Sequence, residues 1–131
     1  MKLENAAALI TGAASGLGEA TARCFAAAGA HVTLLDRDAE RGRSVAREIG
    51  GTFIKTDVTD ETSVSAAIAE ALDAMGHINV AVNCAGIAYG IKTVGRDGPH
   101  PLDTFARTLD VNLLGTFNVA RLAADAMQAN T

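Results

Sequence analysis

The sequence predicts an α/β protein of repeated βαβ units, and three observations carry that expectation. Four short apolar runs, Ala6–Thr11, His31–Asp36, Thr52–Val58 and Ile78–Asn83, lack strict polar alternation, as strands of a parallel sheet covered on both faces do. Stretches of helical spacing lie between them, and Gly29, Gly50-Gly51 and Gly76 stand where those helices should stop. Strands alternating with helices at this interval give a parallel sheet with crossover helices.

Each element follows from its residues. The first run closes in Gly12-Ala-Ala-Ser-Gly-Leu-Gly18, after which Glu19–Ala28 has helical composition. Asp38–Ile49 reads as a polar helix beyond the second strand. After the third, Thr59 or Asp60 can cap a helix whose Val64, Ala67, Ile68, Ala71, Leu72 and Met75 form one apolar stripe. A glycine-containing loop from Gly86 to about Pro101 leads to a last helix from about Leu102 to the end. Its glycines and prolines suit an irregular excursion, in which Lys92 and Arg96 are the only cations.

Composition narrows the class. The chain has 131 residues, enough for one domain, with 49% hydrophobic and 20% charged residues, which excludes a disordered chain. Apolar runs such as Ala6–Ile10 are about a quarter of the roughly 20 residues a spanning helix needs, so no membrane segment is expected. Fifteen acidic against eleven basic residues give a net charge of −4, and the cations are scattered, which argues against nucleic acid as a partner. Met1–Ala8 carries no signal-peptide pattern, and a cytoplasmic setting is the expectation. Cys24 and Cys84 have no CxxC partner, and His31, His77 and His100 are far apart in sequence, so no metal site is expected.

The glycine turn carries the first chemical signal. Gly12 permits a tight turn, Gly16 lets a pyrophosphate approach bare backbone, and Gly18 allows the helix close approach. The helix N-terminus then offers N–H groups to phosphates, with Ser15 and Leu17 in the same turn. Asp36, 18 residues after Gly18 at the second strand's end, is placed to accept hydrogen bonds from both ribose hydroxyls of an adenosine. A 2′-phosphate would meet that carboxylate as a like charge, so NAD is favoured over NADP, although the adjacent Arg37 is a group that could partner a phosphate. Asp57 and Val58 end the third strand at the same edge and can frame an adenine. Asn83, Cys84, Ala85 and Gly86 end the fourth, where small residues let backbone lie beside a cofactor. The amide of Asn83 can also serve only to tie strand ends together.

Together, Thr11-Gly12-x-x-x-Gly16-x-Gly18, Asp36, Asp57-Val58, Asn83-x-Ala85-Gly86 and Asp110-Val-Asn112-Leu resemble the short-chain dehydrogenase/reductases over essentially the whole chain. The stretches from Asn83 to Ala88 and from Leu109 to Val119 look most like the type 2 3-hydroxyacyl-CoA dehydrogenases. The resemblance implies a Rossmann-type doubly wound parallel sheet, of which these residues hold the first four strands, and an NAD-dependent oxidoreductase. It implies interconversion of a 3-hydroxyacyl-CoA and its 3-oxoacyl-CoA by hydride transfer, with an acyl-CoA substrate and a homotetramer built partly on the last helix. Its catalytic groups are a Ser, a Tyr, a Lys four residues after that Tyr, and an Asn.

Only Asn112 matches that set, where the family role is to hold a water of the proton relay. The single tyrosine, Tyr89, has Thr93 four residues on, and the lysines are Lys2, Lys55 and Lys92. The fourth strand would also keep an unpaired edge. The expectation is therefore an incomplete NAD-binding domain over 1–131, inactive alone, with the catalytic Ser, Tyr and Lys elsewhere. Two alternatives stay open: a non-catalytic NAD-binding sensor, and a structural fragment that needs a complementary chain.

Overall fold

Strands β1 (Ala7–Thr11), β2 (His31–Asp36), β3 (Thr52–Lys55) and β4 (Val80–Asn83) form one parallel sheet, ordered β3-β2-β1-β4, in the computed structural model, which describes residues 2–130. Every pairing is parallel. Successive connections carry the chain from β1 through β2 to β3, and β4 then returns to the other side of β1. That reversal opens a crevice at the carboxyl ends of β1 and β4, where open α/β sheets bind ligands.

Helices α1 (Gly16–Ala27) and α2 (Ala39–Ile49) cover one face of the sheet, and α3 (Glu61–Met75) and α5 (Thr116–Met127) cover the other. Side chains alternate across a strand, so Ile10, Val32 and Leu34 meet Ala22, Val45 and Ala46, while Leu9, Leu35 and Ile54 meet Val64, Ala67, Ile68, Val119 and Ala123. Two covered faces explain why these strands read as continuous apolar runs. Asp38 and Asp60 cap α2 and α3 by accepting the N–H of Arg41 and Thr62, both at 3.0 Å. Of the two cap candidates for α3, Asp60 fills the position, and Thr59 bonds to Asp57 instead. No helix among the described residues is long and apolar enough to cross a membrane.

Strand β4 begins at Val80, two residues after the expected Ile78, and the structure departs from the sequence reading in four further places. Helix α1 starts at Gly16, three residues before the expected Glu19, because the glycine turn is tight enough to run straight into it. Strand β3 stops at Lys55 instead of Val58: the Thr56 N–H still reaches the Asp36 carbonyl, but the Asp57 N–H turns to the Ser63 hydroxyl at 3.0 Å. The loop after β4 contains a two-stranded hairpin, β5 (Val94–Gly95) against β6 (Gly98–Pro99), turned by Arg96-Asp97 with Gly98 at φ 125°. The last helix is not uniform. It comprises α4 (Leu102–Leu109), a π-helical segment at Asp110–Gly115, and α5; Thr131, its expected end, lies outside the described residues.

One hydrogen-bond acceptor joins the two halves of the crevice. Thr11 is buried at the end of β1, paired with Leu35 on one side and Asn83 on the other. Its hydroxyl oxygen accepts the N–H groups of both Cys84 and Ala85 at 3.1 Å. Thr11→Val keeps the shape and orphans two donors, so urea unfolding should show a loss of about 1–3 kcal/mol, while Thr11→Ser should stay near wild type. Equal stability of the valine variant and the wild type would show that these bonds do not hold the strand ends together.

Candidate functional site

The crevice is a cleft of about 440 Å³ at the carboxyl edge of the sheet. The turn between β1 and α1 forms its floor. Gly12 has φ +63°, and a Cβ there would lie 2.8 Å from the Ala85 backbone, so only glycine lets the two strand-end turns meet. A Cβ on Gly18 would strike the Gly12 carbonyl oxygen, so its contact is with the turn itself rather than with the sheet. Gly16, at φ +55°, has nothing within 4 Å of where a Cβ would sit. Bare backbone therefore borders open space at the N-terminus of α1, where the first N–H groups of a helix lack partners inside it. Ser15, the N-cap, makes no capping bond through its side chain, and exposed Leu17 lines the cleft beside it.

Asp36 stands across from this turn at the end of β2. One carboxylate oxygen accepts the Ala14 N–H at 3.0 Å and the other the Asp38 N–H at 2.9 Å. The side chain is thus fixed to the glycine turn and to the start of α2 together. A carboxylate offers about four acceptor positions, and these two bonds leave the rest for a ligand.

Asp57 and Val58 form the far wall. Asp57 Oδ1 accepts the Thr59 hydroxyl at 2.7 Å and the Thr59 N–H at 3.0 Å, and Oδ2 lies 3.8 Å from Arg37 Nε. Those Thr59 hydrogen bonds, foremost the hydroxyl's, hold the carboxyl below the ordinary aspartate range, with Arg37 and Arg107 adding smaller contributions. Val58 is buried and shared with the core.

Cys84, Ala85 and Gly86 line the cleft after β4, as the sequence suggests; Asn83 and Asn112 do not. The tie between strand ends that Asn83 could have made is made by Thr11. Asn112 sits in the π-helical segment, where its amide oxygen accepts the Ile87 N–H and its amide nitrogen donates to the Ile87 carbonyl, both at 2.8 Å. Both ends of the amide are engaged with one residue, so Asn112 fixes the backbone leaving β4. Tyr89 borders the cleft, whereas Lys92 and Arg96 are exposed and outside it.

Two residues outside the sequence expectations, Gly115 and Asn118, shape the wall around Val58. A Cβ on Gly115 would lie 2.6 Å from Val58 Cγ2, and the Asn118 amide donates to the Val58 carbonyl at 3.0 Å. A glycine inside a helix was the available signal. Among the described residues no cluster of three His, Cys, Asp or Glu side chains could hold a metal ion.

Comparison with known proteins decides the family. Residues 6–131 match the model for short chain dehydrogenase. The chain belongs to the short-chain dehydrogenase family. It is 46% identical over 132 residues to 3-hydroxyacyl-CoA dehydrogenase type-2 of Drosophila melanogaster, covering 98% of this chain and 52% of that protein. The human protein of the same name is 47% identical over 127 residues, covering 94% of this chain and 49% of that one. The mitochondrial borneol dehydrogenase of Lavandula x intermedia is 39% identical over 129 residues, covering 98% and 49%. The chain thus spans about half the length of the curated relatives it matches. A crystal structure of 3-ketoacyl-(acyl-carrier-protein) reductase from Brucella melitensis, complexed with NADH, superposes with a TM-score of 0.89 at 35% identity, over 98% of this chain and 52% of the other.

Proposed function

We propose that the cleft binds NAD and that the chain serves an oxidoreductase interconverting a 3-hydroxyacyl-CoA and its 3-oxoacyl-CoA. One observation carries the cofactor reading: the Asp36 carboxylate is held at the cleft rim, opposite a glycine turn whose open backbone begins a helix. The residues fit a dinucleotide. The first N–H groups of α1, around Gly16, receive the pyrophosphate. Asp36 receives the adenosine ribose hydroxyls, Asp57 and Val58 border the adenine, and Cys84 to Gly86 lie beside the path to the nicotinamide. When bound, the nicotinamide supplies or accepts a hydride, and this chain's residues orient it.

The acyl-CoA reading is supported by identity to the type-2 dehydrogenases, and Lys92 and Arg96, outside the cleft, add nothing to it. In this proposal the free edge of β4 receives a further segment, which brings the Ser, Tyr and Lys that the resemblance implies. Asn112 then acts as the residue that holds Ile87 in place beneath them. Exposed Leu102, Phe105, Leu109, Leu113 and Phe117 recur along one side of α4 to α5 and support burial of that side in a homotetramer.

Two measurements test the reading. Asp36→Ala removes charge-assisted hydrogen bonds, so NAD affinity in calorimetric titration should fall about 10- to 100-fold, with NADP losing much less. Equal losses for both cofactors would show that Asp36 does not read the ribose. The 131-residue chain alone should show no dehydrogenase turnover, because positioned acid/base groups contribute typically 10²- to 10⁴-fold and these residues include no Tyr with a Lys four positions on. Turnover comparable to that of a full-length relative would refute the proposed division of labour.

A further inference from the structure

Arg37 and Arg107 are the charged cleft residues that the cofactor reading leaves without a task, and Arg37 is the one beside Asp36. It follows Asp36 directly and lines the cleft. A guanidinium in that place matches the geometry of a phosphate, and a 2′-phosphate on the adenosine ribose is the group that would come within its reach. Taken alone, Arg37 would blunt the preference that Asp36 sets.

Its actual partner is across the crevice. Arg37 Nε lies 3.8 Å from Asp57 Oδ2, with the two side chains 63% and 40% exposed. Asp57 is the fixed member of the pair, since Thr59 donates two hydrogen bonds to its other oxygen and its own N–H is bound to Ser63. Arg37 is the long, solvated arm that can follow it. The next cation along α2, Arg41, is also engaged: its guanidinium lies 3.9 Å from Glu19, which also holds Arg23 at 2.9 Å. Both guanidinium groups closest in sequence to Asp36 are therefore turned to carboxylates.

We propose that Asp57 is a specificity-determining residue for the cofactor, because its carboxylate holds Arg37 away from the ribose 2′ position and leaves Asp36 to meet that position alone. This inference rests on the nucleotide reading of the cleft. It differs from direct repulsion of a phosphate by Asp57, because the effect of Asp57 must vanish when Arg37 is absent.

The test titrates the 131-residue chain with ADP-ribose and with 2′-phospho-ADP-ribose at low salt, where exposed charge pairs are least screened. Taking the ratio of the two affinities cancels any contact Asp57 makes with the adenine. Wild type should favour ADP-ribose. Asp57→Asn should shift the ratio toward the 2′-phosphorylated ligand by about two- to fivefold, the range an exposed ion pair supports. Adding Arg37→Ala to Asp57→Asn should return the ratio to the wild-type value. An unchanged ratio in Asp57→Asn, with ADP-ribose still bound, overturns this inference and leaves the nucleotide reading standing. A shift that persists in the double variant overturns it too, because the freed group would not be Arg37. A wild-type chain that binds neither ligand overturns the nucleotide reading and this inference with it.

Discussion

Close approach of two backbone turns is the constraint on which the rest of this molecule depends. The turn after β1 and the turn after β4 touch at Gly12 and Ala85, and the buried Thr11 hydroxyl accepts two N–H groups across the same junction. Any side chain at position 12 would force these turns apart. With them joined, the ends of β1, β2 and β4 stand level, the glycine turn enters α1 without a loop, and Asp36 can reach back to the Ala14 N–H. The cleft is the space left above that junction.

Its walls carry two carboxylates that are held differently. Two main-chain N–H groups hold Asp36 in place, and Thr59 holds Asp57, with Arg37 and Arg107 acting on Asp57 from farther away. Main-chain donors cannot move away, whereas a guanidinium on a flexible stem can. A site built this way keeps its carboxylates in place and leaves its cations adjustable. The second tie, from Asn112 to both polar atoms of Ile87, does for the backbone beyond β4 what Thr11 does before it. The helix accommodates Asn112 through its π-helical turn, where the Thr116 hydroxyl takes up the Asn112 carbonyl at 2.7 Å, and such turns often occur at functional sites.

Legibility followed the range of the interactions. The glycine turn, the strand ends at Thr11, Asp36 and Asn83, and the stops at Gly50 and Gly76 are readable because the apolar run or helical spacing breaks there within a few residues, although the contacts at Thr11 and Asn83 are long-range. The doubly wound order followed from the alternation of elements and the family resemblance. The end of β3 is not legible locally because the competing partner of the Asp57 N–H, Ser63, belongs to the next helix. The hairpin is hard to read although Asp97-Gly98 is a turn signal, since the short runs flanking it show no strand alternation. The π-helical segment coincides with contacts from Asn112 to Ile87 and from Gly115 to Val58, which no local pattern announces. For the same reason Asn112 could be recognised from its motif while its partner could not.

In the proposed function one nucleotide site spans the junction between β1 and β4, with its adenosine end at Asp36. Amide chemical-shift mapping of the isotope-labelled 131-residue chain during titration with NAD tests it most directly. A nucleotide seated there should shift a contiguous set of amides at Gly12–Gly18, around Asp36 and Asp57-Val58, and at Cys84–Gly86, with the helical faces away from the cleft unchanged. Shifts centred elsewhere, or saturating NAD with no shifts at the glycine turn, would contradict it.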